Sequence, residues 1–147
     1  MAKKLFTTKQ MGDAVEMLVA AELTLRGVPA LKAPDNWPHY DIVAQPKGRS
    51  PQRITVKART FGRKGAFVGW RNGEEFDWLS IVLLPGGDLE VRRFFFIPSA
   101  VAWKRAHKAT HRDGRGIRIT NLLKHLTAYE DNFSLSEVPA AARPRRR

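Results

Sequence analysis

The feature that most constrains the fold is a run of six residues, 79–84, in which five side chains are large and apolar. Strands with consecutive apolar residues are typical of the interior of a sheet that is covered on both faces. Pro85, Gly86 and Gly87 follow the run and form a predicted turn. The run therefore predicts a central strand that is buried on both sides.

A helix is predicted before the strands. Four apolar residues recur at intervals of three, four and seven and would share one helical face: Met11, Val15, Leu18 and Leu25. Thr7 and Gln10 have capping-box spacing, and Gly27 is a typical residue just after a helix end. The pattern predicts a helix over about residues 9–26.

The rest of the chain reads as strands followed by helices. In residues 52–60, Ile54, Val56 and Ala58 alternate with polar residues, which is typical of a strand with one buried face. We expect this strand to form a hairpin with residues 40–45. The full prediction is strands at 40–45, 52–60, 66–70, 79–84, 89–97 and 117–119, a helix from Pro98 to about His107, a basic loop from His107 to Gly116, and a last helix capped by Thr120 and ending near Tyr129. This order indicates an α/β sandwich with a central mixed sheet of four to five strands flanked by helices.

Composition narrows the class of protein. The 147 residues include no cysteine, which excludes disulfide scaffolds, thiol nucleophiles and cysteine-ligated zinc. Lys and Arg number 26 against 14 Asp and Glu, a net charge of +12. Such a charge attracts polyanions, and nucleic acid is the usual one. We expect a nucleic-acid partner.

The chain is expected to form one domain, with a basic arm at residues 1–7, a core at 8–138 and a disordered basic tail at 139–147. No apolar run has the length of a signal segment or a membrane span, so no membrane partner is expected. The lack of cysteine fits a reducing compartment, and a cytoplasmic location is the prediction.

One group of polar residues suggests chemistry. Thr55 and Lys57 are two apart and share a face of their strand, and Asp41 begins the strand that should pair with it. Glu16 lies on the flank of the helix face that packs on this sheet. Two carboxylates and a lysine at a sheet edge could hold Mg²⁺ and act on a phosphate. The simpler interpretation is that Asp41 caps a turn and Lys57 is a solvated strand residue.

At these positions the sequence resembles the PD-(D/E)XK nucleases, nearest to their intron-encoded homing endonuclease and Holliday-junction-resolvase-like branches. The resemblance covers roughly residues 10–130 and rests on the order and spacing of short motifs. These are Gly12-Asp13-Ala14-Val15-Glu16, Tyr40-Asp41-Ile42-Val43, Ile54-Thr55-Val56-Lys57, Phe76-Asp77-Trp78-Leu79 and Phe96-Ile97-Pro98.

The resemblance implies a restriction-endonuclease-like fold and a role for each matching residue. Asp41 would ligate Mg²⁺ or Mn²⁺, Glu16 would assist from the helix, and the Val56 carbonyl would be a backbone ligand. Lys57 would be the catalytic lysine. The implied activity is hydrolysis of DNA phosphodiester bonds by a metal-activated water.

Thr55 departs from the family pattern, which has Glu, Asp or Gln two positions before the lysine. Its hydroxyl is a weaker ligand without charge. A water could bridge it, a carboxylate such as Glu16, Glu74, Glu75 or Glu90 could replace it, with Glu16 favoured, or the site could be inactive. Three functions therefore stay open: a metal-dependent DNA endonuclease, an inactive nucleic-acid-binding module on the same fold, and an unrelated basic RNA-binding protein.

Basic residues mixed with Phe61, Phe67 and Trp70 suit contact with a nucleic-acid backbone and its bases. The candidate nucleic-acid-binding residues are Arg53, Arg59, Arg63, Lys64 and Arg71. The competing interpretation is that the aromatic residues are core and the charges are solvated. A double-strand cutter of this size often needs two copies, so a homo-oligomer is also considered.

Overall fold

The structure, a computed structural model, describes residues 5–62, 66–86, 89–108 and 114–139. Its elements in chain order are α1 (Thr8–Leu25), β1 (Ala30–Lys32), β2 (Ile42–Ala44), β3 (Gln52–Thr60), β4 (Phe67–Arg71), β5 (Trp78–Leu84), β6 (Arg93–Pro98), α2 (Ser99–Arg105), β7 (His107–Lys108), β8 (Gly114–Arg118), α3 (Ile119–His125) and a 3₁₀ turn (Thr127–Tyr129).

The main sheet has five strands in the order β1-β2-β3-β5-β6. β3 and β5 are parallel, whereas the other neighbours are antiparallel. This confirms the predicted mixed sheet, and β2 and β3 form the predicted hairpin. β5 lies inside the sheet, and all of its residues except Leu84 are buried, so the apolar run does form a strand covered on both faces.

Two hydrophobic clusters cover the two faces of this sheet. Residues that are partners in a ladder point to the same face, so Ile54 and Trp78 share one face and Lys57 and Ile81 share the other. The first face packs against α1 through residues such as Val19. The second packs against α2, β8 and α3.

Helix α1 begins and ends where the sequence predicts. The Gln10 N–H donates to Thr7 Oγ1 at 3.1 Å, and the Thr7 N–H donates to Gln10 Oε1 at 2.9 Å, which completes the capping box. The buried residues are Val15, Val19, Ala20 and Leu23. Leu25, which was predicted on this face, is 82% exposed, because two residues beyond Leu23 correspond to about 200° of helical rotation.

The predicted strand at 66–70 forms, as β4, in a second sheet of order β4-β8-β7. It pairs with β8 in an antiparallel register. The Nε of Arg59 donates to the Phe67 carbonyl at 2.9 Å and connects this strand to β3. The second sheet also includes His107–Lys108, which was predicted as loop.

Further boundaries differ from the prediction: the strand predicted at 117–119 spans Gly114–Arg118, and α2 and α3 end earlier than predicted, at Arg105 and His125. The strand predicted from residue 89 begins at Arg93, because Leu89 pairs with Gly86 in a tight turn and the chain must then return to the edge of β5. Thr120 does not cap α3, because the helix already begins at Ile119. The Ile119 N–H donates to the Ala66 carbonyl at 3.0 Å, and no described side chain caps the helix.

Candidate functional site

Asp41 lies directly before β2 and contacts β3 through its backbone and its carboxylate. Its N–H donates to the Ile54 carbonyl at 2.9 Å. Its Oδ2 accepts the Val56 N–H at 2.8 Å and faces the Thr55 hydroxyl at 3.4 Å. The side chain predicted to hold a metal thus also satisfies a backbone donor of the hairpin, while Oδ1 accepts no hydrogen bond from the described residues.

Glu16, on the middle of α1, faces the same region from the helix. Its Oε2 lies 3.4 Å from Lys32 Nζ, and Lys32 also contacts Asp35 at 3.0 Å. Burial raises the pKa of Glu16, and the nearby Asp41 carboxylate raises it further, whereas Lys32 lowers it. The two carboxylates, which line the same cavity, therefore repel each other.

Asp41 and Glu16 line one cavity of about 180 Å³. Its other lining residues come from the start of α1 and from β1 and the segment after it: Lys9, Asp13, Lys32, Ala33, Pro34, Asp35, Asn36 and Trp37. The cavity therefore holds four carboxylates and two lysines, in part paired with each other: Lys9 contacts Asp13 at 3.1 Å.

Lys57 lies two residues beyond Thr55 on the same face of β3, as the alternation predicts. It is partly buried and has no hydrogen bond or ion pair with the described residues. It does not line the cavity that Asp41 and Glu16 share. The structure thus brings Asp41, Glu16, Thr55 and the Val56 backbone together and leaves Lys57 beside this group. The roles assigned to these residues stay predictions.

Two of the candidate nucleic-acid-binding arginines are held by the protein. Arg53 contacts Asp77 at 3.3 Å and Glu75 at 3.5 Å. Arg59 donates to the carbonyls of Phe67 and Ala58. These contacts give both guanidinium groups a structural role.

Of the three remaining candidate nucleic-acid-binding residues, the structure describes one, Arg71. Arg71 ends β4 and is exposed, so its side chain is free to meet a phosphate. Arg63 and Lys64 lie outside the described residues. Of the three aromatic residues, Trp70 is core: it is 4% exposed and packs edge-on against Phe76 and Trp103. Phe61 and Phe67 are partly buried.

The residues of the cavity fit a divalent cation only in part. Within the described ranges, no group of three or more His, Cys, Asp or Glu residues could hold a metal ion. Asp41 and Glu16 still supply two hard oxygen donors, and Mg²⁺ commonly binds through one or two carboxylates and keeps several waters. Their mutual repulsion, which raises the pKa of Glu16, is what a cation between them would relieve.

Sequence reasoning missed Lys32, which contacts Glu16 directly. It lies on β1, a strand of three residues that is too short to show an alternating pattern. Asp13 could have been found, because it lies one helical turn before Glu16 and so shares its side of α1.

No helix in the described part of the chain is both long and apolar enough to cross a membrane. The predicted location, tails and oligomeric state stay predictions. The tail at residues 140–147 lies outside the described residues.

No protein-family model and no curated protein matches the sequence. Among solved structures, the chain is similar to a bacterial homing endonuclease, I-Ssp6803I, with 19% sequence identity, a TM-score of 0.57 and coverage of 77% of this chain and 78% of that one. It is also similar to Hjc, a Holliday junction resolvase from the archaeal hyperthermophile Archaeoglobus fulgidus, with 19% identity, a TM-score of 0.46 and coverage of 71% and 88%. At this level of identity the similarity concerns the fold. The chain therefore has the restriction-endonuclease-like fold of PD-(D/E)XK-type nucleases, which confirms the fold that the sequence motifs predicted.

Proposed function

We propose that this protein is a divalent-metal-dependent endonuclease that hydrolyses DNA phosphodiester bonds. One observation carries the proposal: Asp41 and Glu16, from different elements, share a cavity beside the strand that bears Lys57. This arrangement occurs in a fold shared with a homing endonuclease. The net charge of +12 favours a polyanionic substrate.

In this proposal each residue has a separate task. Asp41, through the oxygen that accepts no hydrogen bond, and Glu16 hold Mg²⁺ or Mn²⁺, with the Val56 carbonyl as a further ligand. Bound there, the ion would lower the pKa of a coordinated water and stabilise charge on the phosphate. Lys57 orients the attacking water or neutralises the charge that develops as the new P–O bond forms and the old one breaks.

A second function has specific support: a nucleic-acid-binding module that does not cut. Thr55 is 3% exposed and its hydroxyl contacts Asp41, so a neutral group occupies the place where the resemblance has Glu, Asp or Gln. A site with one carboxylate fewer binds a hard cation more weakly. In this alternative the fold and the basic surface are kept, and cleavage is lost.

Cleavage of plasmid, branched and single-stranded DNA, measured with Mg²⁺, with Mn²⁺ and with EDTA, tests the proposal. We expect cleavage with metal only. Asp41→Asn should lower its rate by at least about 100-fold, the scale expected when a group that stabilises the transition state is lost. Lys57→Ala should abolish cleavage and weaken DNA binding only modestly.

Asp13→Asn is the matched control for Asp41→Asn, because Asp13 lines the same cavity but pairs with Lys9 at its exposed rim. It should keep most of the activity. Cleavage that survives both Asp41→Asn and Lys57→Ala would place the activity elsewhere or in a contaminant. Protein that binds DNA but cuts no substrate with either metal would support the binding module instead.

A further inference from the structure

Half of the net positive charge of the chain lies in one stretch. Residues 99–129 contain seven Lys and Arg against one acidic residue, Asp113, a net charge of +6. This stretch forms α2, β7, β8, α3 and the 3₁₀ turn. We call the four elements α2, β7, β8 and α3 the basic layer. The stretch 99–129 carries half of the net charge in about a fifth of the chain.

The described cations of the basic layer are not neutralised by carboxylates. Ion pairs elsewhere use Lys9, Arg26, Lys32, Arg53 and Arg93. In contrast, six residues of the basic layer have no described carboxylate within 4.0 Å: Lys104, Arg105, Lys108, Arg115, Arg118 and Lys124. Unpaired cations in this number repel one another, so a bound anion would stabilise this layer.

A cavity of about 450 Å³ opens among these elements. Lys104 and Arg105 line it from the last turn of α2, His107 from β7, and Asn121 and His125 from α3. No carboxylate of the described residues lines it, and its apolar lining is Ala106, Ile117 and Leu126. Hydrogen-bond donors next to apolar side chains suit a phosphate group with its attached sugar.

Helix dipoles explain only part of this arrangement. Lys104, Arg105, Lys124 and His125 lie in the last turns of α2 and α3, where cations are favoured by the partial negative charge of the helix end. Each helix has seven residues, and the dipole of so short a helix stabilises a nearby charge only weakly. The dipoles do not account for a lining that combines cations from both helices with an imidazole from β7.

The basic layer covers the face of the main sheet that is opposite to α1. Lys57 and its ladder partner Ile81 point to the same face. Ile81 packs in one cluster with Ala102 of α2 and Ile117 of β8. The basic layer and Lys57 thus share this side of the sheet, whereas Glu16 lies on α1, which packs on the other face.

We propose that the cavity between α2, β7 and α3 is a phosphate-binding site for the backbone of duplex DNA. It is separate from the cavity that Asp41 and Glu16 line. The choice of DNA rests on the proposed function. The site itself rests on the charge and lining of the cavity, and it would hold DNA in place without taking part in cleavage.

The test is the affinity for a labelled DNA duplex, measured by fluorescence anisotropy in EDTA over a series of salt concentrations. Lys104→Gln combined with Arg105→Gln should reduce the slope of log K against log salt by about 2, since each phosphate contact on duplex DNA contributes about 0.9. Lys47→Gln combined with Arg92→Gln removes the same charge from exposed residues outside the basic layer, and should leave the slope unchanged. Circular dichroism checks that both variants fold.

Each result decides the proposal. An unchanged slope in the Lys104/Arg105 variant, or an equal loss in the control variant, would overturn the site. Tighter binding of an RNA of equal length would overturn the choice of DNA. Binding is measured in EDTA and is therefore independent of cleavage. Protein that binds DNA with the expected slopes in EDTA, but cuts no DNA with Mg²⁺ or Mn²⁺, would refute the proposed function and leave the phosphate site standing. A protein that binds no duplex would overturn both.

Discussion

Asp41→Ala should destabilise the protein, whereas Asp41→Asn should not do so appreciably. The carboxylate Oδ2 accepts the Val56 N–H at 2.8 Å and faces the Thr55 hydroxyl at 3.4 Å. Val56 is 8% exposed and Thr55 is 3% exposed, so water cannot readily replace this acceptor. Alanine removes it, and asparagine keeps an oxygen in the same place.

The size of the effect follows from these contacts. A buried donor that loses its acceptor costs about 1–3 kcal/mol, and we expect a loss of this size for Asp41→Ala. Asparagine exchanges a charge-assisted hydrogen bond for a neutral one, which is roughly half as strong, but it also removes the repulsion between Asp41 and Glu16. These two effects oppose each other, so Asp41→Asn should stay within about 1 kcal/mol of the unmodified protein.

Urea unfolding at neutral pH in EDTA measures these differences. Asp13→Ala is the control, because it removes a carboxylate of the same cavity whose pair with Lys9 is exposed and therefore contributes little to stability. Equal destabilisation by Asp41→Ala and Asp41→Asn would refute the hydrogen-bonding argument. So would an Asp41→Ala variant as stable as the control. If the Asp41→Asn variant is stable, a loss of its cleavage activity can be assigned to the catalytic site and not to unfolding.

Elements with a clear period were predictable from the sequence. Residues 52–60 alternate strictly and form β3 with the same bounds, and Thr7 and Gln10 form the capping box that their spacing indicates. The sequence also placed Asp41 beside Thr55, because two strands that follow each other along the chain were expected to pair as a hairpin. The part of the candidate site that depends on strand alternation and on the pairing of consecutive strands was therefore predictable.

Relations between distant segments were not predictable. Nothing in the residues of β4 indicates that it pairs with β8 in a second sheet, because either sheet would suit its alternation. Lys32 reaches Glu16 only because β1 lies at the edge of the main sheet beside α1. The excess of cations in residues 99–129 is visible in the sequence, but the cavity that they line depends on how α2 and α3 pack.

Glu16 and Thr55 provide two further predictions. The pKa of Glu16 is raised from its ordinary value of 4.5 by burial and by Asp41, so the folded protein holds this proton more tightly than the unfolded chain. The free energy of unfolding therefore falls as the pH rises from about 4.5 through the pKa of Glu16 in the folded protein. At pH 7 the Glu16→Gln variant should unfold at a higher urea concentration than the unmodified protein, and below pH 4.5 the two should unfold at similar concentrations. An equal gain in stability at both pH values would contradict this. Thr55→Glu should destabilise the protein in EDTA, because it adds a third carboxylate at a position 3% exposed and in contact with Asp41. Mg²⁺ should then restore stability, by RT ln(1 + [Mg²⁺]/Kd), and calorimetry should show tighter Mg²⁺ binding than in the unmodified protein, since a charged oxygen replaces a neutral one. A Thr55→Glu variant that Mg²⁺ neither stabilises nor binds would show that this corner of the sheet is not a metal site, and would leave the binding module as the better account of the fold.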